Sequence, residues 1–173
     1  MLILSYLIVG LALFCIGAMI GSFVNVFIYR TVQGEDWILG RSRCESCKAK
    51  IHWYDNIPIF SFLILGGRCR ACRSPISIIH PVVEGLMGSL FVWWYFIGAL
   101  FFRLSEEPFS AIQPAFWLLV GILLLVICVA DVLYLIVPDI AVAALTVLAV
   151  AYRCLLYTSD AADDLLCVDL GGR

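Results

Sequence analysis

The chain has 173 residues, of which 64% are hydrophobic, and its mean hydropathy is +1.05. Soluble domains are about 45–50% apolar, so a water-soluble globular domain is excluded and an integral membrane protein of three or four spans is expected. The net charge of −2 decides little, because the placement of the charges carries more information than their sum.

The first apolar run, Leu2 to Tyr29, reads as a spanning helix within segment 1–30. It has no basic start and is too long for the apolar core of a signal peptide, so no cleavable leader is expected. Gly17 and Gly21 form a small-xxx-small pair that would let a second helix approach closely, although glycine is common in membrane helices generally. Asn25 lies near one end and reads either as a packing residue or as part of a site. Arg30 can anchor that end by reaching for the interface.

Thr31 to Leu39 reads as a polar linker opening a loop over residues 31–75. Eight of the eleven Lys and Arg lie in or beside this loop: Arg30, Arg41, Arg43, Lys48, Lys50, Arg68, Arg70 and Arg73. Such a cluster next to a span marks a cytoplasmic loop. The loop carries two Cys-x-x-Cys knuckles, Cys44/Cys47 and Cys69/Cys72, with 21 residues between them. A two-residue gap lets one tight turn aim two sulfurs at one ion, and two knuckles close a tetrahedral site with no open position. Disulfides or free thiols are the alternative, but a reducing cytosol disfavours disulfides. The nearby cations offset the charge of a tetrathiolate centre. With four thiolates present, His52 is not needed as a ligand. Between the knuckles, Ile59 to Leu65 is apolar but too short to span, and reads as a packed or interfacial piece of the loop.

Ile76 to about Phe102 reads as the second span, within segment 76–153. Pro81 is tolerated in a first helical turn. Glu84 is an acid at the edge of an apolar run, either a site residue or polar contact, or a carboxylate at a helix N-terminus. A short connection with Glu106 and Glu107 follows. The third span, Ala115 to Ala130, ends at Asp131, and a fourth apolar run covers Ile140 to Tyr152. A carboxylate ending an apolar helix is costly without a role, and partial burial would raise its pKa toward acid/base use. The other reading is a helix-end acid in interfacial water. The expected fold is all-α and polytopic, with about four transmembrane helices and a zinc-knuckle loop after the first.

In order, Gly21-Ser22-Phe23-Val24-Asn25, the two knuckles, Trp53-Tyr54-Asp55-Asn56-Ile57-Pro58, His80-Pro81-Val82-Val83-Glu84 and Asp131 with Val137-Pro138-Asp139 resemble the type IV prepilin peptidase family. The likeness covers roughly residues 10 to 145. It implies a bifunctional enzyme of the bacterial inner membrane with its zinc loop and active site on the cytoplasmic side. Such enzymes cut the leader from prepilins and pseudopilins and methylate the new N-terminus with S-adenosylmethionine. By resemblance, Asp131 is the first catalytic carboxylate, Asp139 a supporting one, and Cys44, Cys47, Cys69 and Cys72 hold zinc. The implied partners are a prepilin and membrane lipid. Nucleic acid is not expected for a loop tethered between spans. The S-adenosylmethionine site is to be sought between Asn25 and Glu84.

The family's second catalytic Asp, in a Gly-x-Gly-Asp motif, has no counterpart here, so leader cleavage by this chain alone is not expected. From Cys154 the residues Cys-Leu-Leu-Tyr-Thr-Ser-Asp-Ala-Ala-Asp back-translate to a transposon-type sequencing adapter, and Cys167 to Arg173 to its far end. Residues 154–173 are therefore expected to be non-native, on a truncated N-terminal part. The competing function is a non-catalytic membrane scaffold with a structural zinc loop. A methyltransferase alone is a third.

Overall fold

The computed structural model describes residues 2–35, 42–98 and 112–167, with side chains over 3–35, 42–98 and 113–154. Arg41, the connection carrying Glu106 and Glu107, and the side chains after Cys154 lie outside them. Among the described residues, five α-helices follow in order: α1 (Leu2–Gln33), α2 (Phe60–Ile64), α3 (Ile79–Trp93), α4 (Ile112–Tyr134) and α5 (Asp139–Cys167). A 3-10 turn, Trp53–Asn56, precedes α2, and a π-helical turn, Trp94–Gly98, extends α3. Among the described residues, extended pairing is limited to two isolated bridges. Three stretches, Ile3–Gln33, Ile79–Gly98 and Gln113–Tyr134, are long and apolar enough to cross a membrane. The fourth expected run opens α5.

Two helix ends differ from the expectation. α1 continues past Tyr29 and stops only where Gly34 takes φ +68. There the Glu35 N–H donates to the Arg30 carbonyl at 2.9 Å and the Gly34 N–H to that of Thr31 at 3.2 Å, the paired closure of a Schellman end. α4 runs through Asp131 to Tyr134, and Leu135, at φ 53, closes it by donating to the Asp131 carbonyl at 2.8 Å. Helix termination follows the left-handed residue, not the first polar side chain.

α1 and α3 pack along the most extensive helix–helix contact. The cause is the absence of side chains at their seam. A Cβ on Gly17 would lie 2.6 Å from the Met87 carbonyl oxygen, one on Gly21 2.8 Å from Glu84 Cα, and one on Gly88 2.8 Å from the Phe14 ring. Small residues thus bring two backbones together where lipid offers no hydrophobic drive. Val24 and Ile28 of α1, Val83, Met87 and Phe91 of α3, Val126, Val129 and Ala130 of α4, and Ala141 of α5 form the buried core. On α4 these fall at i, i+3 and i+4, one face of the helix. The Trp94 indole N–H donates to the Pro114 carbonyl at 2.8 Å, joining α3 to α4. Tyr152 stacks on Phe116 with centroids 4.2 Å apart, joining α4 to α5.

Candidate metal centre and adjoining cavity

Each knuckle is a short reversed turn stapled by a bridge, Arg43 with Lys50 and Arg68 with Pro75. In the first, Cys44 N–H donates to Ala49 O at 2.9 Å and Lys48 N–H to Cys44 O at 2.9 Å. In the second, Cys69 N–H donates to Ser74 O at 2.9 Å and Arg73 N–H to Cys69 O at 3.0 Å. The residue after each second cysteine is left-handed, Lys48 at φ 58 and Arg73 at φ 61. The knuckles are two copies of one structure. The signal was present in the text as Arg-Cys-x-x-Cys-(Lys/Arg)-x-x-Ile at Arg43–Ile51 and again at Arg68–Ile76, and spacing arguments alone passed over it.

The two turns bring the four sulfurs of Cys44, Cys47, Cys69 and Cys72 within 4.8 Å of one another. Cys44 and Cys72 Sγ are 3.9 Å apart. Zinc–sulfur bonds of about 2.3 Å at tetrahedral angles place sulfurs roughly 3.8 Å apart, whereas a disulfide needs about 2.0 Å. The cage therefore fits a tetrathiolate ion. His52 stands outside it, stacked on Tyr54 with centroids 5.1 Å apart.

Charge is already uneven in the cage. The Cys44 thiol is pulled down to about 6, first by the backbone N–H of Cys47 and further by hydrogen bonds from Ser46, Cys69 and Ser74. Cys72 is lowered as well, chiefly by the Ser74 hydroxyl, 3.0 Å from its sulfur. Cys47 is pushed up to about 11. An Ala49 N–H favours its thiolate, but desolvation and the neighbouring Cys72 and Cys44 sulfurs outweigh that bond. Thiolate ligands are what a dication requires, so the protons that remain on the four sulfurs leave when it binds.

Three contacts fix the loop to itself, the helices to each other, and the loop to the helices. Arg70 forms a forked pair with Asp55, Nη2 to Oδ1 at 2.7 Å and Nε to Oδ2 at 2.9 Å, holding the second knuckle on the 3-10 turn. Asn25 donates from Nδ2 to the His80 carbonyl at 3.1 Å, so it is a tie between α1 and α3. Glu84, 8% exposed, accepts from the Ile59 N–H through Oε2 at 2.7 Å. That bond supports an unusual backbone, since Ile59 has φ 62, rare for a β-branched residue. Of the readings left open for Glu84, the structure gives the polar contact with the loop.

Between the loop and the adjoining ends of α1 and α3 lies a cavity of about 940 Å³. Asn25, Tyr29, His52, Asp55, His80 and Glu84 contribute to its wall, with Cys44 and Cys69 at the metal side. Asp131 and Asp139 are not in this wall. Asp131 stands in the last turn of α4, Asp139 opens α5, and both are exposed. The partial burial considered for Asp131 is absent, because it follows Ala130 by one residue, about 100° round the helix, and so falls off the face that packs into the core.

Residues 15–97 match the family described as Bacterial Peptidase A24 N-terminal domain. This stretch holds the seam of α1 with α3, the metal cage and the cavity. The chain is 39% identical over 115 residues to the prepilin leader peptidase/N-methyltransferase of Myxococcus xanthus, covering 62% of this chain and 34% of that protein. It is 42% identical over 89 residues to the protein of the same name in Klebsiella pneumoniae, covering 48% and 39%. A third of that name, from Vibrio cholerae, is 44% identical over 85 residues, covering 44% and 34%. The chain thus spans little more than a third of the length of these curated relatives. No solved structure matches. The resemblance to the prepilin peptidase family is borne out.

Proposed function

We propose that this chain is the N-terminal part of a prepilin leader peptidase/N-methyltransferase of the bacterial inner membrane, with its zinc loop and cavity facing the cytoplasm. The observation that carries the reading is the closed four-thiol cage beside a cavity with several ionisable side chains in its wall, within the stretch that matches the A24 N-terminal domain. Zinc held by Cys44, Cys47, Cys69 and Cys72 is structural, because four thiolates leave no position for water or substrate. Its role is to hold the two knuckles together and so to shape the cavity wall.

The cavity is the site we assign to S-adenosylmethionine, which supplies an electrophilic methyl group. A volume of about 940 Å³ is ample for a nucleoside-sized ligand. Methyl transfer to a free amine also needs the amine's proton removed, and the wall offers His52, His80 and the carboxylates of Glu35, Glu45, Asp55 and Glu84 as groups that can accept one. The substrate is the N-terminus of a cleaved prepilin or pseudopilin.

For leader cleavage, Asp131 is assigned as one of two carboxylates that activate water, and Asp139 as a supporting residue. A shared-proton mechanism needs a second carboxylate beside the first, so the 173-residue chain alone is expected not to cleave.

The test has two arms. Purified chain should bind one zinc and become labelled by photoactivated S-adenosylmethionine, with the label on peptides that line the cavity. When joined to a C-terminal half carrying a Gly-x-Gly-Asp motif, it should cleave a prepilin, and Asp131→Asn should abolish cleavage. Zinc binding with neither labelling nor restored cleavage would leave the chain a structural scaffold and refute the reading.

A further inference from the structure

The apolar segment of the loop is held at a depth that the loop's polarity does not suggest. Ile59 donates to Glu84, and Glu84 lies five residues into α3, about 7.5 Å beyond the start of that span at 1.5 Å per residue. The backbone of residues 57–65 is thus drawn alongside a membrane-crossing helix. Its outward side chains are apolar: Phe60 is 62%, Leu63 67% and Ile64 78% exposed, and on α3 itself Val82 and Leu86 are exposed as well. Trp53 and Tyr54, both exposed, stand at the rim, with Arg68 and Arg70 following.

Irregular backbone is tolerated at membrane depth only when its polar groups are satisfied without water. This segment meets that condition. The N–H groups of Ser61, Leu63, Leu65, Gly66 and Gly67 all return to carbonyls between Ile57 and Leu63, and the Ser61 hydroxyl donates to the Tyr54 carbonyl at 3.0 Å. The Ile59 N–H has no such carbonyl and takes Glu84 instead. Ile59, at φ 62 and ψ −50, turns the chain back in a γ-turn closed by the Phe60 N–H donating to the Pro58 carbonyl at 2.6 Å, and Gly66 and Gly67, at φ 58 and 67, release it toward the second knuckle.

We propose that residues 57–65 are a re-entrant lipid anchor, with Phe60, Leu63 and Ile64 immersed among phospholipid acyl chains and Glu84 setting their depth. The occupant is lipid because the segment is hydrogen-bonded to a helix long and apolar enough to cross a membrane, at a residue inside that span. It is also bordered by aromatic and basic residues, as segments at the headgroup level are.

The experiment places the photo-crosslinker p-benzoylphenylalanine at Phe60, at Ile64, at Leu86 in mid-span and at Glu45 in the exposed first knuckle. The full chain is reconstituted with zinc in phosphatidylethanolamine/phosphatidylglycerol vesicles, illuminated and weighed by mass spectrometry. Zinc content reports that the loop is folded. Phospholipid adducts at 60 and 64 comparable to those at 86, with few at 45, are expected. Adducts at 86 but not at 60 or 64 would overturn the proposal, as would crosslinked dimers at 60 and 64, or adducts at 45 as abundant as at 60. Glu84→Ala should lower the adduct yield at 64 at least twofold while zinc is retained. An unchanged yield would overturn the role given to Glu84.

Discussion

Single residues in the loop carry more of the geometry than their exposure suggests. The Asp55 carboxyl is held below its ordinary value by the Arg70 guanidinium bonded to it. A depressed folded-state pKa contributes stability that is fully present above the unfolded value of about 3.9 and fades as pH falls through the folded value. The carbon-13 titration of Asp55 should therefore have its midpoint below 3.9, and Arg70→Gln should return it toward that value. Lys48 and Arg73 show a different strain. A left-handed side-chain-bearing residue costs about 1–2 kcal/mol, which glycine avoids. Lys48→Gly and Arg73→Gly should hold zinc as tightly as the parent or several-fold more tightly. Lys48→Val and Arg73→Val should hold it more weakly in competition with a chelating dye.

At the scale of elements, the seam between α1 and α3 is the most demanding contact. Gly17→Ala would set a methyl 2.6 Å from a backbone oxygen, and the backbone can yield only by separating the helices. Overpacking of this kind costs about 1–3 kcal/mol. Gly85→Ala, on the same α3 with nothing within 4 Å, should instead be neutral or stabilising by up to about 1 kcal/mol. Thermal unfolding in detergent, read by circular dichroism, should separate the two variants. Much of this level was legible in the sequence. The runs of apolar residues gave the spans, and Gly17 and Gly21 gave the close approach. The ends of α1 and α4 were misplaced because polarity was read as termination, when Gly34 and the left-handed Leu135 terminate them. Glu84 stood out as an acid in an apolar helix, but its partner is a main-chain N–H, which carries no side-chain signature. The γ-turn at Ile59 that exposes that N–H runs against the residue's own preference. The cage was legible from Cys-x-x-Cys spacing, whereas the cavity arises from the docking of loop on helices and has no local pattern.

For the whole molecule, the helical core and the metal loop are separable. Among the described residues, none between Gly34 and Ile78 belongs to the buried cluster formed by α1, α3, α4 and α5. Removing the metal with a chelator should therefore leave the far-UV helical signal nearly unchanged while making the segment between the knuckles sensitive to protease. Cys44→Ser with Cys47→Ser should do the same, because one knuckle supplies only two of four ligands. A helical signal that collapses on chelation would show that the loop and the core unfold together.

The closed cage also bears on how the chain assembles. α1 and α3 must find each other across the connection from Gly34 to Ile78. Once Cys44 and Cys72 share an ion, the residues between them drop out of that search. The effective tether shortens from roughly 45 residues to fewer than 20, worth about 0.8 kcal/mol of closure entropy on a (3/2)RT ln n scale. The second helix then meets the first at about fourfold higher local concentration. A zinc-loaded chain should form the glycine seam correspondingly faster than a chelated one after transfer from denaturant into vesicles. Metal supply would then set the pace of insertion as well as the shape of the loop.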